Sequence, residues 1–80
     1  MTENELQLNG RLYALEYLLT QALVERFRCI DDRDKGKDSE RMLVEISSNV
    51  ASLPPLVANA ALETAQRILW KAVGDSTNFP

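Results

Sequence analysis

The densest run of ionisable side chains is Asp31-Asp32-Arg33-Asp34-Lys35-Gly36-Lys37-Asp38, which leads into the apolar pair Met42-Leu43. Closely spaced carboxylates ahead of a glycine are the ingredients of a calcium loop. That loop needs oxygen ligands at positions 1, 3 and 5, glycine at 6 and glutamate at 12. With Gly36 at the sixth position, Asp31 takes the first, but Arg33 and Lys35 take the third and fifth, and Met42 the twelfth. With Asp32 first, Asp34 fits third, but Gly36, Lys37 and Leu43 fall at the fifth, sixth and twelfth. Both registers lose essential ligands, and the interleaved cations would repel a divalent ion. The run is instead expected to be a solvated loop over about residues 31–38. Asp38 or Ser39 would then cap the next helix, with Glu40 in its first turn.

Other catalytic chemistry lacks its parts. The chain has one cysteine, Cys29, and no histidine. That leaves no disulfide within the chain, no usual zinc ligand set and no base to activate a thiol. Cys29 is read as a small apolar residue at a helix end. The three glycines are isolated, so no phosphate-cradling loop is formed. No catalytic, cofactor-binding or metal-ligating residue is nominated, and no enzymatic activity is expected.

The net charge of −3 and pI of about 4.8 disfavour a general nucleic-acid binder. The N-terminus opens with Glu3 and Glu5 where a signal peptide would be basic. The longest uncharged run, residues 46–62, contains Pro54-Pro55 and is too polar to span a membrane. Together with the lone thiol, these features lead to the expectation of a soluble cytoplasmic protein.

Three helices are expected to carry these residues, over about 3–30, 39–52 and 55–73. Thr2 and Glu5 match a capping box. Asn9-Gly10 is a weak point that could move the first start to about residue 10. Pro54-Pro55 both ends the second helix and opens the third. Gly74 is the expected C-cap, with Lys71 complementing the helix dipole, and residues 75–80 are expected to form a flexible tail. The fold class is all-α: one domain spanning residues 1–80, an antiparallel hairpin-like bundle completed by dimerisation.

That last expectation comes from the faces. On the first helix, Leu8, Leu12, Leu15, Leu19 and Ala22 follow a four-three spacing, and Leu6, Tyr13, Tyr17, Thr20 and Val24 lie beside them. Together they cover an arc of about 220°, where packing on one core needs only about 100° or a little more. The leucine stripe is assigned to the core, and the neighbouring stripe to a protein interface. Glu16 and Arg26 could each pair with another helix, but edge positions with their heads in water are the favoured reading.

The third helix carries Val57, Ala58, Ala61, Leu62, Ala65, Ile68, Leu69, Ala72 and Val73. Its alanines permit close approach but bury little volume. Leu56 and Trp70 fall off that stripe. The expected interface residues are thus Leu6, Tyr13, Tyr17, Val24, Leu56 and Trp70, without cofactor or membrane. The expected function is a small non-enzymatic protein-binding, scaffolding or regulatory module acting as a homodimer, with another protein as a further possible partner. The alternative is a nucleic-acid-associated regulator using Arg26, Arg28 and Arg33. It is disfavoured because the helix after the Pro-Pro turn opens with apolar residues, where a recognition helix would be polar and basic.

Overall fold

The structure, a computed structural model, describes residues 2–77. It is an all-α three-helix bundle with α1 over Glu3–Arg28, α2 over Asp32–Val50 and α3 over Pro55–Thr77. The Thr2 hydroxyl accepts from the Glu5 backbone N–H and caps α1. Helix α1 continues through Asn9-Gly10 without a break. The tertiary packing of its C-terminal half offsets the local weakness of glycine.

The largest departure from expectation is the aspartate-rich run, which is helix rather than loop. Asp31, not Asp38 or Ser39, is the N-cap residue, and it makes no side-chain capping bond. Asp32 and Asp34 lie in the first turn, where the positive end of the helix dipole favours them. Only Cys29, Ile30 and Asp31 separate α1 from α2, and the Cys29 and Ile30 N–H groups bond back to the Arg26 and Phe27 carbonyls.

The reason for the extra turns lies in Lys35. Its side chain is only 2% exposed, and its Nζ reaches Asp32 Oδ1 at 2.6 Å and the Ser76 carbonyl at 3.2 Å. The first turn of α2 is thereby fastened to the last turn of α3. Helix α3 correspondingly runs past Gly74, the expected stop, to Thr77. The Ser76 hydroxyl donates to the Val73 carbonyl, and the Thr77 hydroxyl lies within bonding distance of the Val73 and Gly74 carbonyls. Residues 75–77 of the expected tail are thus helical, and residues 78–80 lie outside the described residues.

The core is gathered at one end, where α1 ends, α2 begins and α3 ends. Val24, Phe27, Leu69 and Ala72 are buried there, with Leu23, Ile30, Met42, Leu43 and Val73 packed around them. Two interhelical ion pairs flank this core. Arg26 Nε donates to Asp38 Oδ2 at 3.0 Å, tying α1 to α2, and Arg67 Nη2 donates to Glu16 Oε1 at 2.6 Å, tying α3 to α1. Glu16 and Arg26, expected as water-facing edge residues, are therefore cross-links. Each keeps part of its side chain in water, at 37% and 48% exposure.

The assembly is flattened, with Cα extents of 43 × 30 × 13 Å and a radius of gyration of 14.4 Å. A globular domain of this length would have about 12 Å. Its accessible surface is 6156 Å² for 9.0 kDa. Scaling from compact monomers gives about 4,900 Å², a surplus of roughly 1,300 Å².

Replacing Lys35 with alanine removes a buried ammonium and leaves the Ser76 carbonyl without its partner. The expected loss is about 2–3 kcal/mol of unfolding free energy, read from a urea midpoint, because an orphaned buried acceptor costs its full desolvation. An unchanged midpoint would show that α2 and α3 do not depend on this fastening.

The Arg26 and Arg41 guanidiniums bonded to Asp38 hold its carboxyl below the ordinary 3.8. A carboxyl whose pKa is lowered by folding adds stability above its unfolded value, and that contribution fades as pH falls through the unfolded and then the folded value. Asp38→Asn should therefore be less stable than the parent at pH 7, and the gap should shrink from about pH 4 downward. Chemical denaturation at pH 7, 4 and 3 checks this, and a gap independent of pH would refute it.

Candidate interaction surface

The structure overturns the assignment of the leucine stripe of α1 to the core and of Val24 to an open face. Thr20, Val24 and Phe27 are the buried residues of this helix. Val24 is only 3% exposed and sits in the core, so it is not part of an open face. The leucine stripe, expected in the core, is uncovered: Leu8, Leu12, Leu15 and Leu19 are 48–56% exposed, and Leu18 beside them is 63% exposed. The sequence offered two apolar stripes and no term to rank them. Helix α3 meets α1 through the Glu16–Thr20–Val24–Phe27 side, where the ion pair with Arg67 also lies.

Beside the leucine stripe lies an open trough of about 320 Å³. Leu19 and Leu23 form its α1 wall, Met42, Glu45, Ile46 and Asn49 its α2 wall, and Ala65, Ile68 and Leu69 the α3 contribution. The stripe and the trough share Leu19, so they form one continuous apolar surface. The trough exists because α3 packs against both α1 and α2 while the core closes only at one end. The three alanines Ala58, Ala61 and Ala65 supply little bulk towards the other end.

Among the remaining expected interface residues, Tyr13 and Tyr17 are 75% and 57% exposed. They line a second, more polar cleft with Glu16, Thr20, Gln21, Lys71 and Asp75. Leu6 is exposed near the start of α1. Leu56 and Trp70 are exposed on the side of α3 opposite its buried Leu69, Ala72 and Ser76. Leu6, Tyr13 and Tyr17 thus share one face of α1, while Leu56 and Trp70 lie on α3. Leu18, which the stripe analysis passed over, joins the exposed surface. Its place on the flank of the leucine stripe, about 60° from Leu15 on the helical wheel, was the available signal.

Cys29 is exposed at the end of α1 rather than buried, with its thiol 3.6 Å from the Glu25 carbonyl. Among the described residues, no three His, Cys, Asp or Glu side chains gather as a metal site. Seven of their aspartates and glutamates form ion pairs with arginines or lysines instead: Glu16, Glu25, Asp31, Asp32, Asp38, Glu45 and Asp75. No described helix is long and apolar enough to cross a membrane. Searches for relatives agree in giving no lead: no family model, curated protein or solved structure matches the chain.

The exposure of Trp70 has a direct optical consequence, since it is the sole tryptophan. Its fluorescence in the folded protein should be quenched by iodide nearly as well as in urea. Trp70→Ala should change unfolding free energy by less than about 0.5 kcal/mol, as for a surface position. Strong protection from iodide at concentrations where the protein is monomeric would place the indole in contact with the fold.

Proposed function

We propose that this protein is a non-enzymatic helical interaction module that works as a homodimer through the leucine stripe of α1. The observation that supports this reading most directly is that five leucines of one helix are each about half exposed or more. Isolated surface leucines need no explanation, but a contiguous apolar surface of this kind marks an interaction site. The surface surplus of roughly 1,300 Å² per chain exceeds the approximately 800 Å² that each partner contributes to a standard interface.

Energetics set the extent of the contact. Burying the exposed half of a leucine is worth about 1 kcal/mol, so ten leucines in a dimer return about 10 kcal/mol. Association costs on the order of 4–15 kcal/mol. The stripe alone roughly offsets that cost, so a stable dimer also draws on the adjoining trough.

The nucleic-acid alternative has less support. Arg26 is engaged by Asp38, Arg28 by Glu25 and Arg33 by Asp31. Three arginines neutralised in this way make a poor phosphate-binding patch.

Light scattering over a concentration series should give a mass approaching twice 9.0 kDa. Leu12→Asp/Leu15→Asp should remain helical by circular dichroism but scatter as a monomer, because an unpaired charge cannot be buried in the contact. A parent chain that stays monomeric throughout, or a double variant that still dimerises, would refute the proposal.

A further inference from the structure

The orientation of the two α1 helices can be read from the residues that flank the stripe; this inference rests on the self-association proposed above. Leu8, Leu15 and Ala22 repeat at seven residues, as do Leu12 and Leu19. They occupy the two apolar positions of a heptad, the pattern by which two helices supercoil about one seam. The next residues on that wheel are Arg11 and Leu18 on one flank and Glu16 and Leu23 on the other.

Parallel pairing in register sets each residue of the first flank against the residue five places later on the partner. Arg11 then meets the partner's Glu16, and Leu18 meets the partner's Leu23. Opposite charges pair, and apolar meets apolar. An antiparallel pair sets like flanks against each other. With Leu12 opposite Leu15, it places Arg11 against Leu18 and Asn9 against Glu16. Shifted by one heptad, it gains Arg11 against Glu25, but it sets Leu8 against Arg26 and the two Glu16 carboxylates against each other.

The observed side chains fit the parallel arrangement. Arg11 takes part in none of the ion pairs found among the described residues, whereas Glu16 retains 37% exposure while paired with Arg67 and can accept a second cation. Leu18 is 63% exposed, and Leu23 lines the trough beside Leu19. The seam is bounded by Glu5 and Arg26, the next residues in the Leu12–Leu19 series, so like charges would face each other beyond residues 8–22.

We propose that the occupant of this surface is a second copy of α1, parallel and in register, with Arg11 paired to the partner's Glu16 and Leu18 seated against the partner's Leu23. Disulfide trapping tests it. In a Cys29→Ser background, Leu8→Cys and Ala22→Cys are made as separate chains. Each is oxidised mildly at a concentration where light scattering gives the dimer mass. In a parallel pair each substituted position lies opposite its own copy, within the span a disulfide bridges. Both variants should therefore self-link, and an equimolar mixture should contain no link between positions 8 and 22. The antiparallel registers above set position 8 against residue 19 or 26, so a dimer that does not self-link at both positions overturns the orientation alone, as does one that links position 8 to position 22. A chain that is monomeric at every concentration overturns the orientation and the self-association together.

Discussion

The buried ammonium of Lys35 is the constraint on which the arrangement of helices depends. A lysine is rarely taken out of water unless its charge is met. Here Asp32, one turn earlier, supplies a carboxylate, and the last turn of α3 supplies the Ser76 carbonyl. The negative end of the α3 dipole and the positive charge are thus brought together. This contact joins residues 41 apart in sequence and fixes the start of one helix against the end of another. Phe27 and Ala72, both fully buried, close the same end of the bundle.

A core closed at one end leaves the other end open, and the candidate surface is a consequence of that asymmetry. Helix α1 is 26 residues long, yet its buried residues all fall between Thr20 and Phe27. The earlier turns hold their helical form from local capping and from continuity with the packed half. Their leucines find no cover in the chain itself. The alanines of α3 work in the same direction, since they let helices approach but fill little space. The ion pairs Arg26–Asp38 and Glu16–Arg67 brace α1 against its two neighbours around the small core.

The class, the number of helices and the proline corner were legible in the sequence, because periodicity and Pro-Pro geometry act locally. The packed stripe of α3 was legible too, since that helix has one dominant apolar face. Two things were not. The run from Asp31 to Asp38 has a loop's composition, and it folds as helix because Lys35 gains a distant partner that no local rule can see. The choice between two apolar stripes on α1 turns on where α3 lies, which is tertiary information. Val24 and the leucines were misplaced for that reason, whereas Leu56 and Trp70 are exposed through their offset from the packed stripe of α3, and Leu6, on the same line of α1 as Val24, is exposed because it lies far from the core along the helix.

If the seam pairs two copies as proposed, folding and assembly in this chain are not separate events. The monomer's few buried apolar residues, Val24, Phe27, Leu69 and Ala72, provide only a small reserve against the conformational entropy of a long exposed helix. Whatever binds the folded form and not the unfolded one adds stability in proportion to the logarithm of its concentration. Under the proposed pairing, a second copy of the same chain would be such a ligand. The uncovered half of α1 would then gain from its partner the burial that α3 gives the other half. On that proposal, the surface surplus that makes the monomer costly is the surface the dimer would bury.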